Sequence, residues 1–269
     1  MEINKQNQKV ESNSTAYQAG GDIHVTHGVR YEQVKEIALD IFKSNFYDLG
    51  EKVEKLVNER AEEFINKYLD KLQATAPENL ENTQDPDVRY VIYEAQKSHA
   101  RRGDQEVADL MVDLLVSRTK IKDKNLLQLV CNEALGVMPK LTLKQIDILT
   151  TLFLMNYVNI KIFPVDQFYK IVYLFTRDIS RDEFAFQHLQ YAGCISISIG
   201  SIDINKTLEQ HYPGVNLHEV NAGYSELINR WKSTKLENSS LTSVGIAIAL
   251  SNFKRKTGLN WELSTWING

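Results

Sequence analysis

From Val34 to Leu72 apolar residues return every three or four positions. Val34, Ile37, Ala38, Ile41, Phe42, Phe46 and Leu49 form one run, and Val53, Leu56, Val57, Ala61, Phe64, Ile65, Tyr68, Leu69 and Leu72 a second. Glu51, Lys52, Glu54, Lys55, Glu59, Glu62, Glu63 and Lys67 occupy the opposite side. An apolar stripe with a charged back is an amphipathic helix, and its stripe must be covered by other helices. Gly50 interrupts the pattern, which predicts two helices, 31–48 and 51–73. This feature commits the chain to helix-on-helix packing.

The rest of the chain agrees. Five prolines and thirteen glycines in 269 residues are few, which favours long helices over a loop-rich sandwich. Residues 75–84, with Pro77, read as a linker, and the composition shift at 74–86 marks the expected domain boundary. Asp85-Pro86 is an N-cap followed by proline at the first helical position, and Gly103 closes that helix. Further helices are expected from about 107, over 123–136 and over 142–157, where Thr142 and Gln145 make a capping box. Helices at 164–176 and 181–191 follow, the latter capped by Ser180-x-x-Glu183, then a short one near 202–208 and two at 221–233 and 241–256. Cys194 to Ile199 alternates apolar and polar residues and predicts a strand. Leu259 to Ser264 alternates too and is the expected partner strand.

The fold class read from this pattern is mainly α. It is a multi-helical bundle with a short N-terminal β-hairpin and a small C-terminal winged-helix-like β element. Residues 1–12 are polar and expected to be disordered. Residues 13–28 form the hairpin, 29–76 the amphipathic helices, and 85–269 a helical domain with a small sheet. Within 142–200 three helices precede the strand, so the expected recognition helix is 181–191, carrying Arg181, Gln187, His188 and Gln190. Asp182 and Glu183 in the same helix weigh against DNA.

Charge sets limits on partners. The formal net charge is −4 and the pI about 5.9, with no global basic excess for a phosphate backbone. Lys97, His99, Arg101 and Arg102 cluster at one helix end, and Lys254, Arg255 and Lys256 at another. Cations at a helix C-terminus complement its dipole, and that role is favoured over phosphate or nucleic-acid contact. No apolar run approaches the ~20 residues of a membrane span. Cys131 and Cys194 lie in apolar runs and read as buried thiols in a reducing, cytoplasmic setting.

Gly20-Gly21 carries neither a G-x-x-x-x-G-K-[ST] nor a G-x-G-x-x-G pattern, so a tight hairpin turn is preferred to a phosphate cradle. A lone two-stranded hairpin is marginal in water, and its edges invite pairing with other copies. The expected oligomer interface is therefore Tyr17, Gln18, Gly20, Gly21, Ile23 and Val25. His24 and His27, three apart on a strand, point to opposite faces, and His211 and His218 stand unaccompanied, so no metal site is assigned. No nucleophile motif appears, and no catalytic residue or cofactor is assigned.

Three segments together carry a resemblance. They are Asn13-Ser14-Thr15-x-x-Gln18-Ala19-Gly20-Gly21-Asp22-Ile23, then Arg102-Gly103-Asp104 before an apolar helix, then Leu241-Thr242-Ser243-Val244-Gly245-Ile246-Ala247-Ile248-Ala249 with Thr257-Gly258 and Leu263-Ser264-x-Trp266-Ile267. On these residues the chain resembles, over essentially its full length, an uncharacterised family of bacterial proteins. Similar N-terminal motifs precede unrelated domains in other bacterial proteins, some linked to defence against phage. The resemblance implies a portable N-terminal element and a bacterial cytoplasmic setting, and it brings no activity or catalytic residues. The expected function is a non-enzymatic, self-assembling interaction protein, a sensor or scaffold in antiphage defence. Its expected partners are further copies of itself and another bacterial or phage protein. The alternative is a nucleic-acid-binding, winged-helix-like regulator.

Overall fold

The computed structural model describes residues 29–45, 51–123, 125–179 and 181–267. The hairpin expected at 13–28, with Tyr17, Gln18, Gly20, Gly21, Ile23 and Val25, lies outside the described residues. So do residues 1–12, His24, His27, the join at 46–50 and Ser180.

The amphipathic pattern forms α1 (Tyr31–Asn45) and α2 (Glu51–Thr75). Val34, Ala38 and Phe42 of the first and Ala61, Phe64, Ile65, Tyr68, Leu69 and Leu72 of the second are buried, as their spacing requires. Residues 77–84 are not a slack tether. Pro77–Gln84 winds into a 3-10 helix with Asn79 and Thr83 buried. The Asn82 side-chain amide donates to the Thr119 carbonyl at 2.9 Å, tying this stretch to α4 (Gln105–Thr119).

Helix α3 (Pro86–Arg102) starts at Asp85, whose carboxylate accepts from the amides of Asp87 and Val88. It ends at Gly103, held at φ 69°, where the left-handed backbone favours glycine. The Arg60 guanidinium fills the space that a Cβ at Gly103 would need. Asn125 caps α5 (Leu126–Val137), and the Thr142–Gln145 capping box opens α6 (Leu143–Asn156).

Next come α7 (Val165–Thr176), α8 (Glu183–Tyr191), β1 (Ile195–Ile197), α9 (Ile204–His211), α10 (Leu217–Val220), α11 (Gly223–Lys232), β2 (Ser239–Leu241) and α12 (Ser243–Thr257). Every residue of α12 from Val244 to Phe253 is buried, because the helix threads between α4, α5 and α6. Its first turn lies against the chain just before β1. A Cβ at Gly245 would run into the Cys194 carbonyl oxygen. One buried apolar cluster spans residues from Val34 to Ile267. The architecture is mainly helical, and the sheet among the described residues is the two-stranded antiparallel β1–β2 ribbon.

Two expectations are corrected. The partner of β1 is β2, in the register Ile195↔Leu241, Ser196↔Ser240, Ile197↔Ser239, and not the 259–264 tail. Ser239-Ser240 gives no strand signal in sequence, but Ser239 is buried with its hydroxyl on the Lys235 carbonyl at 2.6 Å. The tail's alternation serves a different purpose. Trp261 stacks on Phe253 (centroids 4.4 Å apart) and Leu263–Thr265 turns as a 3-10 helix. Trp266 then donates its indole N–H to the Tyr157 carbonyl at 3.1 Å. The second correction is the start of α8. Its cap is Asp182, whose carboxylate accepts from the Phe184 amide at 3.0 Å, so the helix begins at Glu183.

Candidate functional site

Two polar networks fix the central helices. On α3, Asp87 Oδ2 accepts from Gln128 Nε2 (2.8 Å) and Asn132 Nδ2 (2.9 Å) of α5 and from the Arg118 guanidinium of α4. Arg118 is 2% exposed and also donates to Asn132 Oδ1 (2.8 Å) and the Ile121 carbonyl (3.2 Å). Burial alone would push the Asp87 carboxyl up, but these three donors outweigh it and hold it down at about 2. On α6, Asp147 is 8% exposed and meets Lys256 Nζ of α12 at 2.6 Å and Asn252 Nδ2 at 2.9 Å. Burial raises its pKa, and Lys256 and Asn252 only partly offset that.

A cleft runs over α2, α4, α5 and α12. Its inner part is a hollow of about 160 Å³ between α4, α5, α12 and the tail residues 260–264. Leu114, Ile121, Leu127, Leu250, Trp261 and Leu263 make its apolar walls. Its outer part is an open, charged trough of about 710 Å³ over α2, α4 and α12. Asp113 and Lys254 line both. Within the trough Lys67 pairs with Asp109 (3.2 Å) and Lys71 with Asp113. Arg255, on the same rim, pairs with Glu106 at 3.0 Å.

A second hollow, open and of about 410 Å³, lies between the N-terminus of α6 and α8, lined in part by Lys140, Lys144, Asp182 and His188. Gln145 joins the two helices by donating to the Ala185 carbonyl at 3.1 Å and meeting His188 Nδ1 at 2.9 Å. Beside it α8 exposes Phe184 (73%) and Tyr191 (90%), seven residues apart and so on one helix face, with Gln187 and His188 between them. The third feature is a shallow groove between α1 and α3, lined by Val29, Ile37, Ile92, Tyr93 and Gln96.

The predicted basic clusters are dispersed by packing. Lys97 pairs with Glu94 at 3.5 Å and lies 5.7 Å from the Tyr93 ring. His99 is buried against Phe64, and burial lowers its pKa, so it adds no charge to that cluster. Arg102 donates to the carbonyls of Pro139 and Leu141, and Arg101 is exposed. Arg255 and Lys256 are in the ion pairs already given, whereas Lys254 stays on the rim of the cleft. Burial pushes the thiols of Cys131 and Cys194 up to about 12. Among the described residues no group of three or more His, Cys, Asp or Glu is placed to hold a metal ion. No described helix is long and apolar enough to cross a membrane.

Fold and cleft together define a helical bundle closed by a two-stranded ribbon. A family model described only as ":-like" matches residues 28–222 and 215–267, and the chain belongs to that family. The match begins at residue 28, after the N-S-T-x-x-Q-A-G-G-D-I segment. No curated protein and no solved structure matches the chain.

Proposed function

We propose that this is a non-enzymatic, self-assembling interaction protein that forms a homo-oligomer through its N-terminal element. Its setting is bacterial and cytoplasmic, as a sensor or scaffold in antiphage defence that meets another bacterial or phage protein. The observation that carries self-assembly is on α1 and α2. Ile37, Val53 and Leu56 stay exposed on helices whose other apolar residues are mostly buried. They lie on the two helices that follow the glycine-centred motif. Single exposed apolar residues are ordinary on a surface, and we take these three as parts of one patch that a second copy covers. The non-enzymatic part is supported by the thiols, which burial keeps protonated and inert.

Light scattering tests the assembly. The full chain is expected at a multiple of 30.8 kDa, and a chain lacking residues 1–28 at the mass of one subunit. An unchanged oligomer would sink the role of the N-terminal element, and a full chain measured at 30.8 kDa would sink self-assembly itself.

A second reading, a winged-helix-like nucleic-acid binder, is favoured by the exposed face of α8. Phe184 and Tyr191 offer stacking surfaces beside Lys140 and Lys144, the combination that single-stranded nucleic acid uses. It predicts oligonucleotide binding, read by fluorescence anisotropy, that weakens steeply between 50 and 200 mM salt. No binding at the lower salt concentration, or a flat response, removes it.

A further inference from the structure

We propose that the cleft between α4, α5, α12 and the tail binds a small molecule that carries a planar apolar ring and an anionic group. The shape of the inner hollow selects the ring. An apolar cavity of about 150 Å³ holds benzene, and this hollow is of that size at about 160 Å³. Half of its lining residues are apolar, with the Trp261 ring on the tail side, and the other half are polar, including Ser117, Ser251, Asn260 and Ser264. A flat hydrophobic group fills such a space with the fewest lost contacts.

The charge at the mouth selects the anion. Asp113, Lys120, Lys254 and Glu262 face the hollow from α4, α12 and the tail. Lys71 pairs with Asp113, which leaves two lysines, Lys120 and Lys254, against the single carboxylate of Glu262. Neither Lys254 nor Lys120 has an ion pair among the described residues, although every other cation lining the outer trough has one. Lys254 lines the inner hollow and the trough alike, so an anion held there leaves its ring free to enter the apolar part. A pocket that pairs apolar walls with convergent polar groups is a usual form of a small-ligand site. Neither part of the cleft is lined by Ile37, Val53 or Leu56, and the inference does not rest on self-assembly.

Titration calorimetry on the full chain tests it with three probes. Indole-3-acetate and adenosine 5′-monophosphate are the ring-bearing anions, and neutral indole is the control. At least one anion is expected to bind saturably, one per chain. Whichever binds more tightly assigns the site to aromatic carboxylates or to nucleotides. Lys254→Met is expected to weaken that anion at least tenfold and to leave indole unchanged. Ser251→Phe, which fills the hollow, is expected to abolish binding of both. Should that variant fail to fold, the Lys254→Met comparison decides alone. No binding by either anion at millimolar concentration, or equal affinity in wild type and Lys254→Met, overturns the proposal.

Discussion

Asp87→Ala is expected to destabilise the protein by about 3 kcal/mol, because it leaves the Arg118 guanidinium buried without its counter-charge. For a chain of this size that lowers the melting temperature by about 6–12 °C. Arg118→Met should cost less, since Asp87 is partly solvated and keeps Gln128 and Asn132 as donors. The double variant should recover part of the Asp87→Ala loss, and calorimetry of the three proteins measures the coupling. A double variant as unstable as the sum of the two would refute the pairing. The acid limb gives a second readout. Asp87 is held at about 2 against an ordinary 3.8, so its contribution is present above pH 4 and disappears as pH falls through 2. Asp87→Ala should therefore flatten the stability profile across that window.

Lys256→Met is expected to cost about 3 kcal/mol at pH 7, because it strips the cation from a carboxylate sealed between α6 and α12. The pH dependence runs opposite to that of Asp87. The pKa of Asp147 is already raised in the folded protein, so folding favours its protonated form. The stability linked to such a group is present below the unfolded value and is lost as pH rises through the folded value. Removing Lys256 raises the folded value further. The deficit should shrink as pH is lowered from 7 toward 4, and Asp147→Asn in the same background should restore much of the loss at pH 7. Urea unfolding at both pH values measures it. An equal deficit at both would mean that Lys256 acts through its packing on Phe175, 5.2 Å from the ring centroid, and not through Asp147.

The helices were legible because their signals are local. Asp85-Pro86 and Gly103 bound α3 within the sequence itself, and Thr142 with Gln145 marks the start of α6. The same locality explains the errors. Asp182 and Ser180 both suit an N-cap, and the capping-box spacing favours Ser180 although the helix starts from Asp182. Alternation in 259–264 reports only that every second side chain packs inward, and a tail laid on Phe153 and Phe253 meets that condition as well as a strand does. The partner strand Ser239–Leu241 carries no such pattern, because its serines satisfy themselves on carbonyls. The cleft was not legible at all. It is assembled from residues 67–71, 109–131, 247–258 and 260–264, and Lys254 differs from its neighbours Arg255 and Lys256 in having no carboxylate paired with it.

The placement of α12 has a consequence for how the molecule reaches this shape. A helix that comes late in the chain, from Ser243, is the filling between α4, α5 and α6, the last of which ends at Asn156. Those earlier helices can wind from local signals, but they cannot seal against one another without it. Most helical bundles fold quickly because neighbours in sequence are neighbours in space, and distant pairings slow the search. This bundle should fold more slowly than its helix content suggests. A nascent chain should pass through a half-closed stage in which Leu114, Ile148 and Leu152 face water, the stage at which chaperones and proteases have their opportunity.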